Sequence, residues 1–155
     1  MIELIMVIVI LGIVSVSAMS LFANKSTYTT FLAKDQFISS ALLAQQTALA
    51  AQDAATNPIQ LCLSQTASEW TISVWRTACN TGTLIQTQTA ERSAANLAIT
   101  NVTDTVAVNV PASFEFDNHA SLNPTKNYLL TFSGDSSYSV CLASTGYVYE
   151  GGCQL

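Results

Sequence analysis

The sequence predicts an α+β protein in which a long N-terminal helix packs on an antiparallel β-sheet head. Residues 1–23 are almost wholly apolar, and apolar residues at helical spacing follow to about residue 53. From Pro58 onwards, apolar and polar residues alternate with the period of two that is typical of strands. We therefore divide the 155 residues into a helix over 1–53 and a β-rich globular head over 54–155.

The first stretch, residues 1–23, contains a single ionisable side chain, that of Glu3. About 20 helical residues match a hydrocarbon core about 30 Å thick, so we expect this stretch to cross a membrane. A carboxylate in an apolar span is costly and is therefore a functional candidate, unless it lies among the lipid headgroups. Gly12 and the serines that follow it weaken the helix, which indicates a segment able to unwind.

Residues 2–13, with the order Ile-Glu-Leu-Ile-Met-Val-Ile-Val-Ile-Leu-Gly-Ile, resemble the N-terminal signature of type IV pilins and type II secretion pseudopilins. The resemblance implies the pilin fold, with residues 1–23 anchored in the bacterial inner membrane before assembly. The same segment would then pack with other pilin subunits in the core of a filament. It implies that Glu3 pairs with the N-terminal amine of a neighbouring subunit and that Gly12 lies beside a stretch that melts on assembly.

The resemblance also concerns processing of the precursor. In that family a prepilin peptidase removes a short basic leader after a Gly, and the new N-terminus is usually an N-methylated Phe. Here Glu3 lies two residues nearer the start than the family spacing, and neither the leader nor the Phe is present. We therefore expect Met1 to be an internal residue of the mature chain, with the leader and two mature residues missing.

The second half of the helix carries two kinds of sequence. Residues 24–30 are polar with β-branched side chains and would make a poor helix alone, so continuity across them is implied by the resemblance. Apolar residues then recur at steps of seven, four and seven, which predicts one buried helical face with Lys34 on the opposite side. That face is formed by Phe31, Ile38, Leu42 and Leu49. Pro58, preceded by Asp53 and Asn57, ends the helix.

The head is predicted to be a run of short strands joined by polar turns. We place strands at residues 59–64, 70–76, 83–87, 97–101, 105–110, 113–116, 127–132, 138–142 and 147–149, and a helical turn or loop at 90–95. Alternation places Trp70 and Trp75 on opposite faces of one strand, one in the core and one at the surface.

The head resembles a group of minor pilins and pseudopilins that includes the H-type pseudopilin of type II secretion. Within the family, proteins of the mannose-sensitive haemagglutinin pilus system look similar. The residues that carry this resemblance are 41–50 leading into 59–63, then 70–75, 113–117 and 138–149.

Four cysteines lie beyond the apolar stretch: Cys62, Cys79, Cys141 and Cys153. An even number in a domain placed in the oxidising periplasm or at the cell surface predicts disulfides. We expect neighbours in sequence to pair, Cys62 with Cys79 and Cys141 with Cys153, because each pairing closes a short loop. The bridge between Cys141 and Cys153 also resembles the C-terminal staple common in pilins. Four cysteines allow three pairings, so crossed pairings remain open.

Composition argues against several functions. The net charge is −5, and the five basic residues are scattered, so we expect no nucleic-acid partner. No cofactor is expected, and the cysteines form no C-x-x-C motif that would indicate zinc. His119 is the one imidazole, and beside Asp117 it makes too few ligands for a metal site. No nucleophile-elbow motif accompanies it, so we expect no enzyme.

We therefore expect a structural subunit of a type IV pilus or related filament, more specifically a minor pilin. The alternatives are a minor pseudopilin of type II secretion, a major pilin, or a tip adhesin for carbohydrate or protein displayed on the filament. The expected location is the inner membrane with a periplasmic head before assembly. After assembly it is a pilus at the cell surface or a periplasmic pseudopilus.

Overall fold

In the part of the chain that the structure describes, two helices precede ten short strands. The computed structural model describes residues 2–21, 25–51, 53 and 56–154, and in the first helix the side chains of residues 3–13. Helix α1 spans Ile2–Leu21 and helix α2 spans Lys25–Ala50. The continuity predicted over 1–53 depends on residues 22–24, which lie outside the described residues, as does Met1. The described part of the chain contains no helix long and apolar enough to cross a membrane.

The first turns of α2 are helical although Thr, Ser and Tyr dominate them. Thr30 Oγ1 donates to the carbonyl oxygens of Ser26 and Thr27, both at 2.9 Å, and Thr29 Oγ1 donates to Ser26 at 3.1 Å. Both threonines are buried, so these bonds satisfy hydroxyls that would otherwise be left without partners away from water. Tertiary packing thus overrides the weak helix propensity of this stretch.

The buried face of α2 differs from the predicted one. Its apolar members are small residues spaced three and four apart around one large side chain: Ala33, Phe37, Ala41, Ala44 and Ala48. In the predicted stripe, Phe31 is 43% exposed and Leu49 is 61% exposed, whereas Ile38 and Leu42 are half-buried. The prediction was therefore wrong by part of a turn, and Lys34 is buried rather than solvated.

The strands form two antiparallel sheets. Their bounds are β1 Ile59–Gln65, β2 Glu69–Arg76, β3 Thr83–Glu91, β4 Asn96–Asn101, β5 Val106–Val108, β6 Ala112–Phe116, β7 Leu122–Asn123, β8 Tyr128–Ser133, β9 Ser137–Leu142 and β10 Val148–Glu150. The first sheet has the order β3-β2-β1-β6-β7 and the second β10-β9-β8-β4-β5. β3 extends into the region predicted as helical turn or loop, and the short β7 lies in a predicted loop.

The core lies where α2 meets both sheets. The ring of Phe37 packs at 6.4 Å from that of Phe114 in the first sheet and at 6.3 Å from that of Phe132 in the second. Trp70, fully buried, meets Phe132 edge-to-face at 5.6 Å. Full burial of such a side chain contributes about 1.5–3 kcal/mol, so this aromatic cluster is a major link between the helix and the sheets.

Candidate functional site: the assembly helix and its junction with the head

Over residues 4–13, the surface of α1 is apolar in every direction. The large apolar side chains at residues 4–11 and 13 are each between 54% and 67% exposed. With 3.6 residues per turn, a run of consecutive apolar residues covers the whole circumference of a helix. A helix of this kind is stable only where lipid or other apolar surfaces cover it.

The two residues predicted for assembly lie on this helix. Glu3 is exposed in the first turn of α1, where a carboxylate interacts favourably with the positive end of the helix dipole. Gly12 lies among exposed apolar neighbours, and a Cβ added there would meet no described atom within 4 Å. Packing within the described chain therefore does not require glycine at position 12. The predicted partner of Glu3, the amine of another subunit, belongs to a different chain.

The start of α2 is fastened to the head by polar contacts. Ser26 Oγ donates to the carboxylate of Asp135 and accepts a hydrogen bond from the Asp135 backbone N–H at 3.2 Å. Lys25 Nζ lies 2.6 Å from Glu91 Oε1 at the end of β3. A Cβ on Gly134 would lie 3.2 Å from Thr30 Cγ2, a tight contact, so the absence of a side chain there favours the close approach of the β8–β9 turn to the helix. The strand pattern predicted a turn between residues 132 and 138 but not its contact with the helix.

Lys34 forms a second link, about two turns further along α2 than Ser26. Its side chain is 4% exposed, and its Nζ lies 2.5 Å from Glu150 Oε1 and 3.0 Å from Asp35 Oδ1. The Nζ also lies 4.4 Å from the centre of the Phe31 ring, which packs edge-to-face on Tyr138. Burial lowers the pKa of the Lys34 ammonium, but the hydrogen bonds and charges of Glu150 and Asp35 outweigh it and raise that pKa above its usual value.

The disulfides join the cysteines that are neighbours in sequence. Cys62 in β1 is bonded to Cys79 in the β2–β3 loop, and Cys141 in β9 is bonded to Cys153, with Cα atoms 6.0 and 5.0 Å apart. The second bridge needs the chain to fold back after β10. Gly151 adopts a φ of 101°, in the region that favours glycine, and its N–H donates to the carbonyl oxygen of Ser139 at 2.8 Å.

The loop that carries His119 has a local structural role. Asp117 Oδ1 accepts hydrogen bonds from the backbone N–H groups of His119 at 2.8 Å and Ser121 at 2.9 Å. Within the described residues, no three His, Cys, Asp or Glu side chains come together as metal ligands.

No protein-family model and no curated protein matches this sequence. The fold, in contrast, is similar to that of the type IV minor pilin FimU of Pseudomonas aeruginosa strain PAO1, seen in two crystal forms. One comparison has a TM-score of 0.52 at 12% identity, covering 83% of this chain and 90% of FimU. The other has a TM-score of 0.50 at 10% identity, covering 77% and 90%. At these identities the likeness is one of fold, and the chain therefore has the α+β fold of a type IV minor pilin.

Proposed function

We propose that this chain is a non-enzymatic structural subunit, a minor pilin, of a type IV pilus or a related filament. The observation that carries the proposal is the combination of a helix exposing apolar side chains on all sides with a head that has the fold of a minor pilin. Each Å² of apolar surface removed from water contributes about 25 cal/mol, so residues 4–13 strongly favour a partner surface over water.

The apolar surface of such a helix is covered first by lipid and then by the helices of other subunits. Before assembly, residues 1–23 are held in the inner membrane with the head in the periplasm, where the two disulfides are stable. During assembly the helix moves from lipid into a bundle of helices from other pilin subunits. The precursor is a substrate of prepilin peptidase and carries a methylated N-terminus after processing, as the resemblance of residues 2–13 implies.

The pairing of Glu3 sets the offset between neighbouring subunits in this bundle. A carboxylate buried among apolar helices is tolerated only when a cation pairs with it, and the N-terminal amine of the adjacent subunit supplies that cation. Subunits offset by the wrong distance would leave both charges unpaired in an apolar environment.

The alternatives differ in where the filament forms. A minor pseudopilin of type II secretion would use the same helix and the same head in a short periplasmic filament, and the sequence resemblance to the H-type pseudopilin supports this alternative. A minor pilin in a surface pilus, of the haemagglutinin type or another, would be recovered from outside the cell. Stoichiometry separates a major from a minor pilin.

The test is incorporation into filaments in cells that express this chain in place of a deleted copy. Filaments are sheared from the cells, and the chain is quantified in the sheared and membrane fractions relative to the other pilins. We expect the wild-type chain in the sheared filaments at low stoichiometry, and Glu3→Ala in the membrane fraction alone.

The matched control is Glu69→Ala, which removes an exposed carboxylate from the head and leaves Glu3 in place. It should incorporate like the wild type. Normal incorporation of Glu3→Ala would remove the role proposed for that residue. A wild-type chain that never leaves the membrane in cells making filaments would overturn the proposed function.

A further inference from the structure

A trough crosses the outer face of the first sheet, on the side away from α2. The strand registers place Ser113 beside Cys62, Cys62 beside Ser73 and Ser73 beside Thr87, so small residues form one row across four adjacent strands. Three strand spacings of about 4.8 Å make this row roughly 14 Å long. Large residues stand in the next row, where Trp75 pairs with Leu84. The difference in size between the rows opens a cavity of about 350 Å³.

The walls of the trough are built by a covalently held loop. The Cys62–Cys79 disulfide bonds the β2–β3 loop to the sheet, and the backbone N–H of Cys79 donates to Gln60 Oε1 at 3.2 Å. Because of this cover, Ser73 and Cys62 are each only 8% exposed although they lie on the outward face of the sheet. An ordinary outward sheet face would leave such residues solvated. The trough is therefore a formed site with a shielded floor.

Trp75 is held in place beside this floor. Its indole Nε1–H donates to Ser73 Oγ at 2.8 Å, which fixes the ring against the row of small residues. The side chain is half-buried, so part of the aromatic surface remains open to the cavity. A fixed aromatic surface loses little conformational entropy when a ligand packs on it.

The chemistry of the lining selects the ligand class. The lining includes no Asp, Glu, Lys or Arg. An ionised ligand that entered the cavity would therefore lose its hydration and gain no opposite charge in return. Its polar groups are almost all hydroxyls, and each hydroxyl both donates and accepts hydrogen bonds. They belong to Ser64, Thr71, Ser73, Thr87 and Ser113. A pyranose ring matches this lining, because it presents C–H groups on its face for an aromatic surface and hydroxyls around its rim.

An extended peptide fits less well. β1 and β2 are each paired on both sides, so the centre of the floor offers no free strand edge to which a peptide could add. The volume of the cavity lies at the lower end of the range for small-ligand sites, about 300–1,000 Å³. We propose that this trough binds a neutral saccharide of one or two pyranose rings, stacked on Trp75 and hydrogen-bonded to the hydroxyls of the floor.

The test uses the full chain labelled with 5-fluorotryptophan in a detergent without a sugar headgroup, such as lauryldimethylamine oxide. The two tryptophans give two ¹⁹F resonances, assigned with Trp75→Phe. The probes are the methyl glycosides of glucose, mannose, galactose and N-acetylglucosamine, together with maltose and lactose. We expect at least one probe to shift the Trp75 resonance saturably while the buried Trp70 resonance stays in place.

A variant that blocks the trough tests whether a shift of the Trp75 resonance arises from binding there. Thr87→Arg places a long charged side chain at an exposed strand position over the floor, and we expect the affinity to fall at least about tenfold. Ser137→Arg adds the same charge at an exposed strand position of the second sheet and should leave the affinity unchanged.

The remaining outcomes count against the proposal. If no probe shifts Trp75 in a chain whose Trp70 resonance shows an intact core, the site is not a saccharide site. A shift that survives Thr87→Arg places binding elsewhere. Preferential binding of a sialylated sugar, or of an unglycosylated peptide in the same assay, would overturn the assignment to a neutral saccharide.

Discussion

The Lys34 ammonium in α2 and the Glu150 carboxylate in β10 lie 2.5 Å apart and are separated by 116 residues of chain. One partner is buried and the other is 65% exposed, so the pair links the helix to the last strand at the edge of the solvent. Because of this difference in burial, the loss of one partner should affect stability more than the loss of the other. Removing Glu150 leaves a buried cation with one fewer acceptor, whereas removing the charge of Lys34 leaves a carboxylate that water can solvate.

Glu150→Ala should therefore destabilise the head more than Lys34→Met. We expect Glu150→Ala to lower the free energy of unfolding by about 1–3 kcal/mol, the range for a buried donor that loses an acceptor, because Asp35 remains as a second partner of Lys34. Methionine fills the space of the lysine stem without a charge, so Lys34→Met should cost less. Urea unfolding of the full chain in detergent, followed by tryptophan fluorescence, measures both. Glu69→Ala serves as the exposed-carboxylate control, and equal losses for the two variants would contradict the asymmetry.

The same pair predicts a dependence on alkaline pH. The pKa of Lys34 is raised in the folded state, so its charged form stabilises the fold fully below the ordinary lysine pKa of 10.5. This stabilisation is lost as the pH rises through the folded-state pKa. The difference in unfolding free energy between wild type and Lys34→Met should be constant from neutral pH and decline above about 10.5. The raised pKa of Lys126 is common to both proteins and cancels in this difference.

Gly151 and Gly152 form a matched pair for testing the C-terminal fold-back. A Cβ at either position meets no described atom within 4 Å, but Gly151 has a φ of 101° and Gly152 has no left-handed φ. Gly151→Ala should cost about 1–3 kcal/mol of stability through backbone strain, whereas Gly152→Ala should be nearly neutral. Thermal unfolding of the two variants measures the difference. Similar losses at both positions would mean that the backbone conformation at Gly151 does not constrain the tail.

The strand pattern was readable from the sequence because the side-chain period of a strand is two. The alternation correctly placed the two tryptophans on opposite faces of one strand, and the structure shows Trp70 in the core and Trp75 half-buried on the outer face. The face of α2 was not readable in this way. Large apolar residues dominate a hydrophobic pattern, but the narrow space between helix and strands selects alanines, such as Ala41 and Ala44, which let the backbones approach.

The alternation of apolar and polar residues also could not predict contacts between residues distant in sequence. The floor of the trough needs β6 beside β1, a pairing of strands that are not consecutive, so the row from Ser113 to Thr87 follows only from the sheet order. Lys34 looked solvated because its partner Glu150 lies in the last strand. The apolar α1 signature carried most of the functional prediction, because its chemistry is local.

Asp104 and Lys126 form an exposed pair that a carboxylate titration can test. The hydrogen bond from Lys126, 2.5 Å away, lowers the pKa of Asp104 below its usual 3.8, assisted by the charge of Lys126 and by Asn101. The ionised Asp104 carboxylate therefore stabilises the fold above pH 3.8, the usual aspartate pKa. This stabilisation is lost as the pH falls through the lower pKa of the folded state. In Lys126→Met, the Asp104 pKa measured by ¹³C carboxyl NMR should move up towards 3.8. An unchanged pKa would show that Lys126 does not engage Asp104 in solution.

The two disulfides should contribute separately and by similar amounts. Their sequence separations are 17 and 12 residues, and closing a loop of about 15 residues stabilises a fold by about 3 kcal/mol in the chain-entropy model. We expect Cys62→Ala/Cys79→Ala and Cys141→Ala/Cys153→Ala each to lower the unfolding free energy by about 2–4 kcal/mol. Reduction of either variant should then remove the remaining bridge and lower the urea midpoint again. If reduction leaves the midpoint of the wild-type chain unchanged, the two bridges do not contribute the stability predicted from their loop lengths.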